Sequence, residues 1–105
     1  MIYYNVTTQL EKSIESKWLK WMQKNHIPEM LNTKKFIEVK LLRIIDDEKN
    51  STTYATQYVL KSKSLLYNYL KTDGKILQNK TYKKFGDKAL SLIHISEPTR
   101  PERMS

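Results

Sequence analysis

Residues 1–89 predict one α+β domain, and three observations carry that prediction. Met1–Thr8 alternates with period 2, an amphipathic run holding both tryptophans follows it, and two β-rich stretches then flank a short polar segment. Alternation sends successive side chains to opposite faces of a strand, whereas apolar residues three and four apart line one side of a helix.

In Met1–Thr8, Ile2, Tyr4 and Val6 oppose Tyr3, Asn5 and Thr7, a pattern rich in β-formers. Thr8 and Glu11 have capping-box spacing. Helix 1 is expected from about Lys12 to Asn25, with Ile14, Trp18, Trp21 and Met22 on its apolar side and Lys17, Lys20 and Lys24 elsewhere. Pro28 suits the first turn of a separate short helix, Pro28–Asn32, so a kink is expected at His26–Ile27. Phe36–Ile45 is the longest strand signal, placing Ile37, Val39, Leu41 and Ile45 on one side and Phe36, Leu42 and Ile44 on the other. Thr52–Leu60 is its hairpin partner across the acidic segment that begins Asp46-Asp47-Glu48, which lacks the spaced ligands and glycine of a calcium loop and reads as solvated. Ser62 or Ser64 caps a second helical stretch with a break near Asp73-Gly74, and Gly86 is placed to end it. The order β, α, β, β, α lacks only the last strand of a ferredoxin-like βαββαβ unit, so that strand is expected after Gly86-Asp87.

The expected strand falls on residues of a different character. Leu90-Ser91-Leu92-Ile93-His94-Ile95-Ser96-Glu97-Pro98-Thr99-Arg100 corresponds, residue for residue, to the in-frame translation of a transposase-end sequencing adapter. The native domain is therefore expected to span 1–89, with 90–105 a non-native tail that alternates well enough to occupy the strand position.

A chain of 105 residues, 39% hydrophobic and 29% charged, has the size of one small domain. Without cysteine it has neither a disulfide framework nor a thiolate metal site, and its two histidines lack a partner cluster, so no metal and no cofactor is expected. No apolar run is long enough for a membrane span, no basic flank precedes Ile2 as in a signal peptide, and a cytoplasmic location is expected. The net charge is +8, yet Arg43 is the only arginine before residue 90. Nucleic-acid readers lean on arginine's bidentate fork, so scattered lysines read first as a solvated basic surface. Apolar residues on both sides of the strands would expose more grease than a soluble monomer commonly tolerates. A homodimer packed sheet against sheet, enclosing a small cavity, is expected from this.

Tyr4-Asn5-Val6-Thr7, Trp18-Leu19-Lys20-Trp21-Met22 with His26-Ile27-Pro28-Glu29, Leu41-Leu42-Arg43, Thr53-Tyr54-Ala55-Thr56-Gln57-Tyr58 and Phe85-Gly86-Asp87 together resemble the family called domain of unknown function 4286. The resemblance covers residues 1–89 and implies a ferredoxin-like chain related to dimeric α/β barrels. It implies no reaction and no catalytic residues. Members look as if they continue after Gly-Asp into an apolar strand containing Phe-Arg-Thr, which this chain replaces.

His26 is the one residue before Leu90 whose ordinary pKa lies near neutrality, and it sits beside aromatic bulk at the expected kink. It reads either as a ligand contact or proton carrier, or as a cap on the helix dipole. Trp18 and Trp21 are core residues or stacking platforms. Tyr4, Asn5, Arg43, Tyr54, Gln57 and Tyr58 supply polar groups that line an intersubunit cavity or satisfy one another at an interface, and an inward Arg43 needs an anionic partner. There is no Ser/His/Asp arrangement, no carboxylate pair and no phosphate-cradling glycine motif. The reading that results is a non-enzymatic homodimeric module that binds a small, partly aromatic or anionic molecule between subunits, or serves as an assembly unit. One alternative is a cofactor-free oxygenase or isomerase, by analogy with dimeric α/β barrels; a second is weak nucleic-acid binding through surface lysines.

Overall fold

A computed structural model describes residues 1–45 and 51–97; the acidic segment at 46–48 and the end of the tail lie outside the described residues. Strands β1 (Ile2–Glu11), β2 (Glu38–Ile44), β3 (Ser51–Leu60) and β4 (Ala89–Ser96) form one antiparallel sheet in the order β2-β3-β1-β4. Helices α1 (Glu15–Trp21) and α2 (Ile27–Asn32) lie in the first crossover, α3 (Lys63–Lys71) and α4 (Asp73–Phe85) in the second. This is the expected α+β, ferredoxin-like order. Its central strand β1 pairs on both edges, with Tyr4 opposite Tyr58 on one side and Ile95 on the other.

The helices cover one face of the sheet, because every second residue of the inner strands carries apolar or aromatic bulk there. Ile2, Tyr4 and Leu10 of β1 and Tyr54, Tyr58 and Leu60 of β3 are buried on that side. They fall into two clusters. Ile2, Tyr4, Met30, Phe36, Tyr58, Leu60, Leu66, Tyr69 and Leu77 form one, and Leu10, Ile14, Trp18, Met22, Tyr54 and Phe85 the other. Aromatic edges tie the first together, with Phe36 against Tyr69 at 4.9 Å and Tyr58 at 5.5 Å.

The first crossover departs from expectation in a way that positions the site. β1 continues through Glu11, which takes the cap position without a side-chain bond to the helix, so the Thr8/Glu11 capping box does not form. Helix 1 does not stop at Asn25 and kink. A 3-10 turn, Lys12–Ile14, leads into α1, a π-helical turn spans Met22–His26, and the backbone stays helical into α2, with His26 at φ −69°, ψ −51°. Ile27 N–H donates to the Met22 carbonyl, five residues back. Two facts of the sequence favour this widened turn. Pro28 has no N–H to return to Lys24, so the tighter bonding pattern is already interrupted there. Trp18, Met22, His26 and Met30 are also spaced by four, and in an α-helix each such step drifts by about 40°, or about 120° over the three. A wider turn takes up the drift and keeps all four on the sheet side.

The second crossover follows expectation closely. Ser62 caps α3, its Oγ accepting from Leu65 N–H at 3.3 Å. The break falls at Thr72 (φ −114°, ψ −95°), and Gly74 follows because a Cβ there would stand 2.9 Å from the Tyr69 carbonyl oxygen. Gly86 ends α4 at φ 58°, a conformation glycine adopts without strain.

The face turned away from the helices is not the apolar surface expected. Phe36 precedes β2 and is buried on the helix side with Val39 and Leu41 nearby, so the alternation begins at Glu38 rather than Phe36. By register the outer face has four rows across the sheet, Glu38–Val59–Tyr3–Ser96, Lys40–Gln57–Asn5–His94, Leu42–Ala55–Thr7–Leu92 and Ile44–Thr53–Gln9–Leu90. Apolar bulk stands at the edges, in Leu42, Ile44, Leu90 and Leu92, all exposed, and at one end of the middle, in Val59 and Tyr3, while the rest of the middle is small or polar. Gln57 Nε2 donates to Asn5 Oδ1 at 3.1 Å and Asn5 Nδ2 to Ser96 Oγ at 3.0 Å.

β4 occupies the expected edge position. Beyond its ladder it is held by Thr8 Oγ1 against Ser91 Oγ at 2.9 Å and by Lys63 Nζ against Glu97 Oε1 at 2.8 Å. From Leu90 to Ser96 every residue of this strand is exposed, in contrast to the inner strands.

Candidate functional site

Between the two core clusters lies a cavity of about 320 Å³. The sheet supplies Tyr4, Val6 and Thr8 from β1, Thr56 and Tyr58 from β3, and Ala89, Ser91 and Ile93 from β4. The π-turn run supplies Trp18, Met22, His26 and Met30, the four residues that its widened pitch keeps in line. Tyr69 closes one end, and Gln78, Thr81, Tyr82 and Gly86 close the side below α4. The cavity exists because Thr56 of β3 stands between Tyr54 and Tyr58 and Thr8 of β1 between Val6 and Leu10; the short side chains leave the gap between the clusters open.

Electrostatically the cavity is quiet. Among the described residues no aspartate, glutamate, lysine or arginine lines it. Burial lowers His26 to a pKa of about 4, against a smaller upward pull from Glu29, so its imidazole is neutral at pH 7. The ring stacks on Trp21 at 4.8 Å with 24° between planes. Desolvation raises the phenols of Tyr4, Tyr58 and Tyr69; a hydrogen bond to Gln78 works the other way at Tyr4, while neighbouring phenols add to the rise at the other two. Tyr69 Oη donates to Met30 Sδ at 2.8 Å.

Two polar atoms among the described residues are buried without a hydrogen-bond partner, His26 Nδ1 and Thr56 Oγ1. Both belong to residues that line this cavity. Leaving such an atom unpaired costs about 1–3 kcal/mol, so two in residues around one cavity call for an explanation.

The residues singled out from sequence divide into three places. Tyr4, Trp18, His26 and Tyr58 meet at the cavity. Trp21 stands behind His26 and turns an edge to Phe85 at 5.4 Å, outside the lining. Tyr54 and Arg43 lie at the far end of the sheet, where Tyr54 Oη donates to Glu15 Oε2 at 2.7 Å and Arg43, 62% exposed, stands 3.8 Å from the same carboxylate. Arg43 thus already has its anionic partner in Glu15 and does not face inward. Burial and the Glu15 carboxylate raise the Tyr54 phenol, with Arg43 opposing. Asn5 and Gln57 are on the outer face, bonded to each other. The cavity described here is within one chain, between sheet and helices, rather than between two copies. Sequence reasoning passed over Thr56, although its period-2 place between Tyr54 and Tyr58 puts it on their face. It also passed over Met30 and Tyr69.

Among the described residues no group of three or more His, Cys, Asp or Glu side chains is arranged to hold a metal ion, and no helix is long and apolar enough to cross a membrane.

Comparison with known proteins places this geometry. Residues 1–98 match the family model described as Domain of unknown function (DUF4286). No curated protein matches the chain. Among solved structures, HapK from Hahella chejuensis superposes with a TM-score of 0.72 at 8% identity, covering 100% of this chain and 99% of its own. An ethyl tert-butyl ether d (EthD) family protein from Bacillus halodurans gives 0.68 at 17% identity, over 94% of this chain and 100% of its own. A dimeric ferredoxin-like protein from an uncultured marine organism gives 0.61 at 11% identity, over 100% and 99%. At these identities the likeness is one of fold.

Proposed function

This chain belongs to the family described as Domain of unknown function (DUF4286), and from the cavity at its centre we propose that it binds a small, largely apolar organic molecule between sheet and helices, as one half of a homodimer. The observation that carries the reading is the pair of buried, unpartnered atoms, His26 Nδ1 and Thr56 Oγ1, in two residues that line one cavity. A ligand carrying a hydroxyl or carbonyl group offers these residues a partner, while Trp18, Met22 and Met30 supply apolar contact. Binding is favoured over cofactor-free oxygenase or isomerase chemistry because an imidazole with a pKa of about 4 is a weak base at neutral pH, far from the range that suits general-base catalysis.

Substitution of Thr56 separates the binding role from a structural one. Thr56→Val removes an unpaired hydroxyl while keeping the shape, so the empty protein is expected to gain about 1 kcal/mol. The same change is expected to weaken binding of 2-naphthol about tenfold, the value of one lost hydrogen bond. Calorimetric titration and urea unfolding of both proteins measure the two effects. Loss of stability in the variant, or equal 2-naphthol affinity, would remove the role given to Thr56.

The homodimer rests on the outer sheet face. Among its described positions only Glu38 and Lys40 on edge strand β2 and Glu11 at the end of β1 carry full charges, in a chain of net charge +8. The charge-poor surface is what two copies must bring together, and the fold neighbour from the marine organism is described as dimeric. Since like-charged copies repel, dimerisation is expected to tighten as salt is raised from about 50 to 200 mM, whereas polynucleotide binding through lysines would weaken steeply over that range. Sedimentation at two salt concentrations distinguishes them; a monomer throughout would end the dimer reading. The reading of residues 90–105 as a non-native tail, with the native domain ending near Ala89, rests on the residue-for-residue correspondence of Leu90 to Arg100 with the adapter, while the family match itself runs on to residue 98. The cytoplasm remains the location proposed.

A further inference from the structure

We propose that the cavity selects an electrically neutral ligand, a planar aromatic carrying a hydroxyl or carbonyl group, and discriminates against both anions and cations of the same shape. The inference rests on the binding reading above and deepens it. The chain carries 19 lysines and arginines and 11 aspartates and glutamates, yet among the described residues none of them lines this cavity. A charged ligand would give up its hydration for a wall that offers no counter-charge, at a cost of several kcal/mol. The wall's free polar capacity is of a neutral kind. His26 Nδ1 and Thr56 Oγ1 are unpartnered, and a threonine hydroxyl donates or accepts as its partner requires. Other polar groups are already engaged, Thr8 with Ser91 at 2.9 Å and Tyr69 with Met30 at 2.8 Å. Three aromatic side chains, Trp18 from the helix side and Tyr4 and Tyr58 from the sheet, are among the lining residues and favour a ring over a chain. The anionic ligand considered from sequence is thereby set aside, because the arginine that would have met it is paired with Glu15 outside the cavity.

The test uses the full chain at pH 7 and three probes of one shape, 2-naphthol, 2-naphthoate and 2-naphthylmethylammonium, titrated by calorimetry. 2-Naphthol is expected to bind at least about 100-fold more tightly than either ion, which corresponds to about 2.7 kcal/mol. Gln78→Lys places a cation at the exposed side of the lining and is expected to shift the ratio about tenfold toward 2-naphthoate. Equal or tighter binding of an ion by the unaltered protein overturns the selectivity while leaving the binding reading in place. An unchanged ratio in Gln78→Lys also overturns it, since the probes would then sit elsewhere. Failure of all three probes to bind overturns the binding reading itself, and the inference with it.

Discussion

Trp18→Ala is expected to lower stability by about 4 kcal/mol, whereas Trp21→Ala costs about 1–2 kcal/mol. Trp18 is 2% exposed, packs on Tyr54 at 5.0 Å and forms part of the second core cluster. Its removal subtracts a large buried surface and leaves a void that the neighbouring cavity enlarges. Trp21 is only half-buried and touches His26 and Phe85 from outside. Small domains hold about 5–15 kcal/mol in total, so the first substitution consumes a substantial share and lowers the melting temperature by about 20 °C. Urea unfolding followed by circular dichroism measures both variants. Equal losses would show that the two tryptophans share one environment, contrary to the packing described.

Acid is expected to weaken the fold through His26, and the sign follows from the direction of its shift. The folded pKa of about 4 lies below the ordinary histidine value of 6.5, so between these limits the unfolded chain takes up a proton that the folded one refuses. Stability is therefore full above pH 6.5 and falls by about 3 kcal/mol as the pH drops to 4. His26→Gln removes the titration while retaining a polar side chain. The stability gap between the two proteins is expected to shrink by that amount from pH 7 to pH 4. A gap constant with pH would mean that His26 is solvated in the folded chain.

The strands and their order were legible because period-2 alternation and a capping serine are local signals. Ser62 and Gly86 do in the structure what their chemistry suggests. The π-turn was not legible from a search at about 100° per residue, since Trp18, Met22, His26 and Met30 drift apart on that wheel and only a non-standard turn reunites them. Phe36 misled the assignment of faces. A large apolar residue next to a strand looks like part of its alternation, but Phe36 docks with Tyr58 and Tyr69 before the strand begins. Part of the site was available by parity alone. Tyr4 and Asn5 are neighbours on one strand and cannot point to the same face, so a single cavity within the chain could never have held both. The cavity itself depends on how helices settle over two threonines, which no local pattern records.

Because β1 is flanked by β4, with Tyr3 opposite Ser96, closing the sheet requires two segments far apart in sequence to find each other. Contacts between such distant segments form late, after the entropy of a long loop has been lost. Until then β1 exposes an unpaired row of amides and carbonyls, which any extended strand in the vicinity can extend into a ladder. Whichever segment fills the β4 position therefore shields the molecule from its own kind, and a chain in which that segment pairs weakly is predisposed to exchange strands or to precipitate.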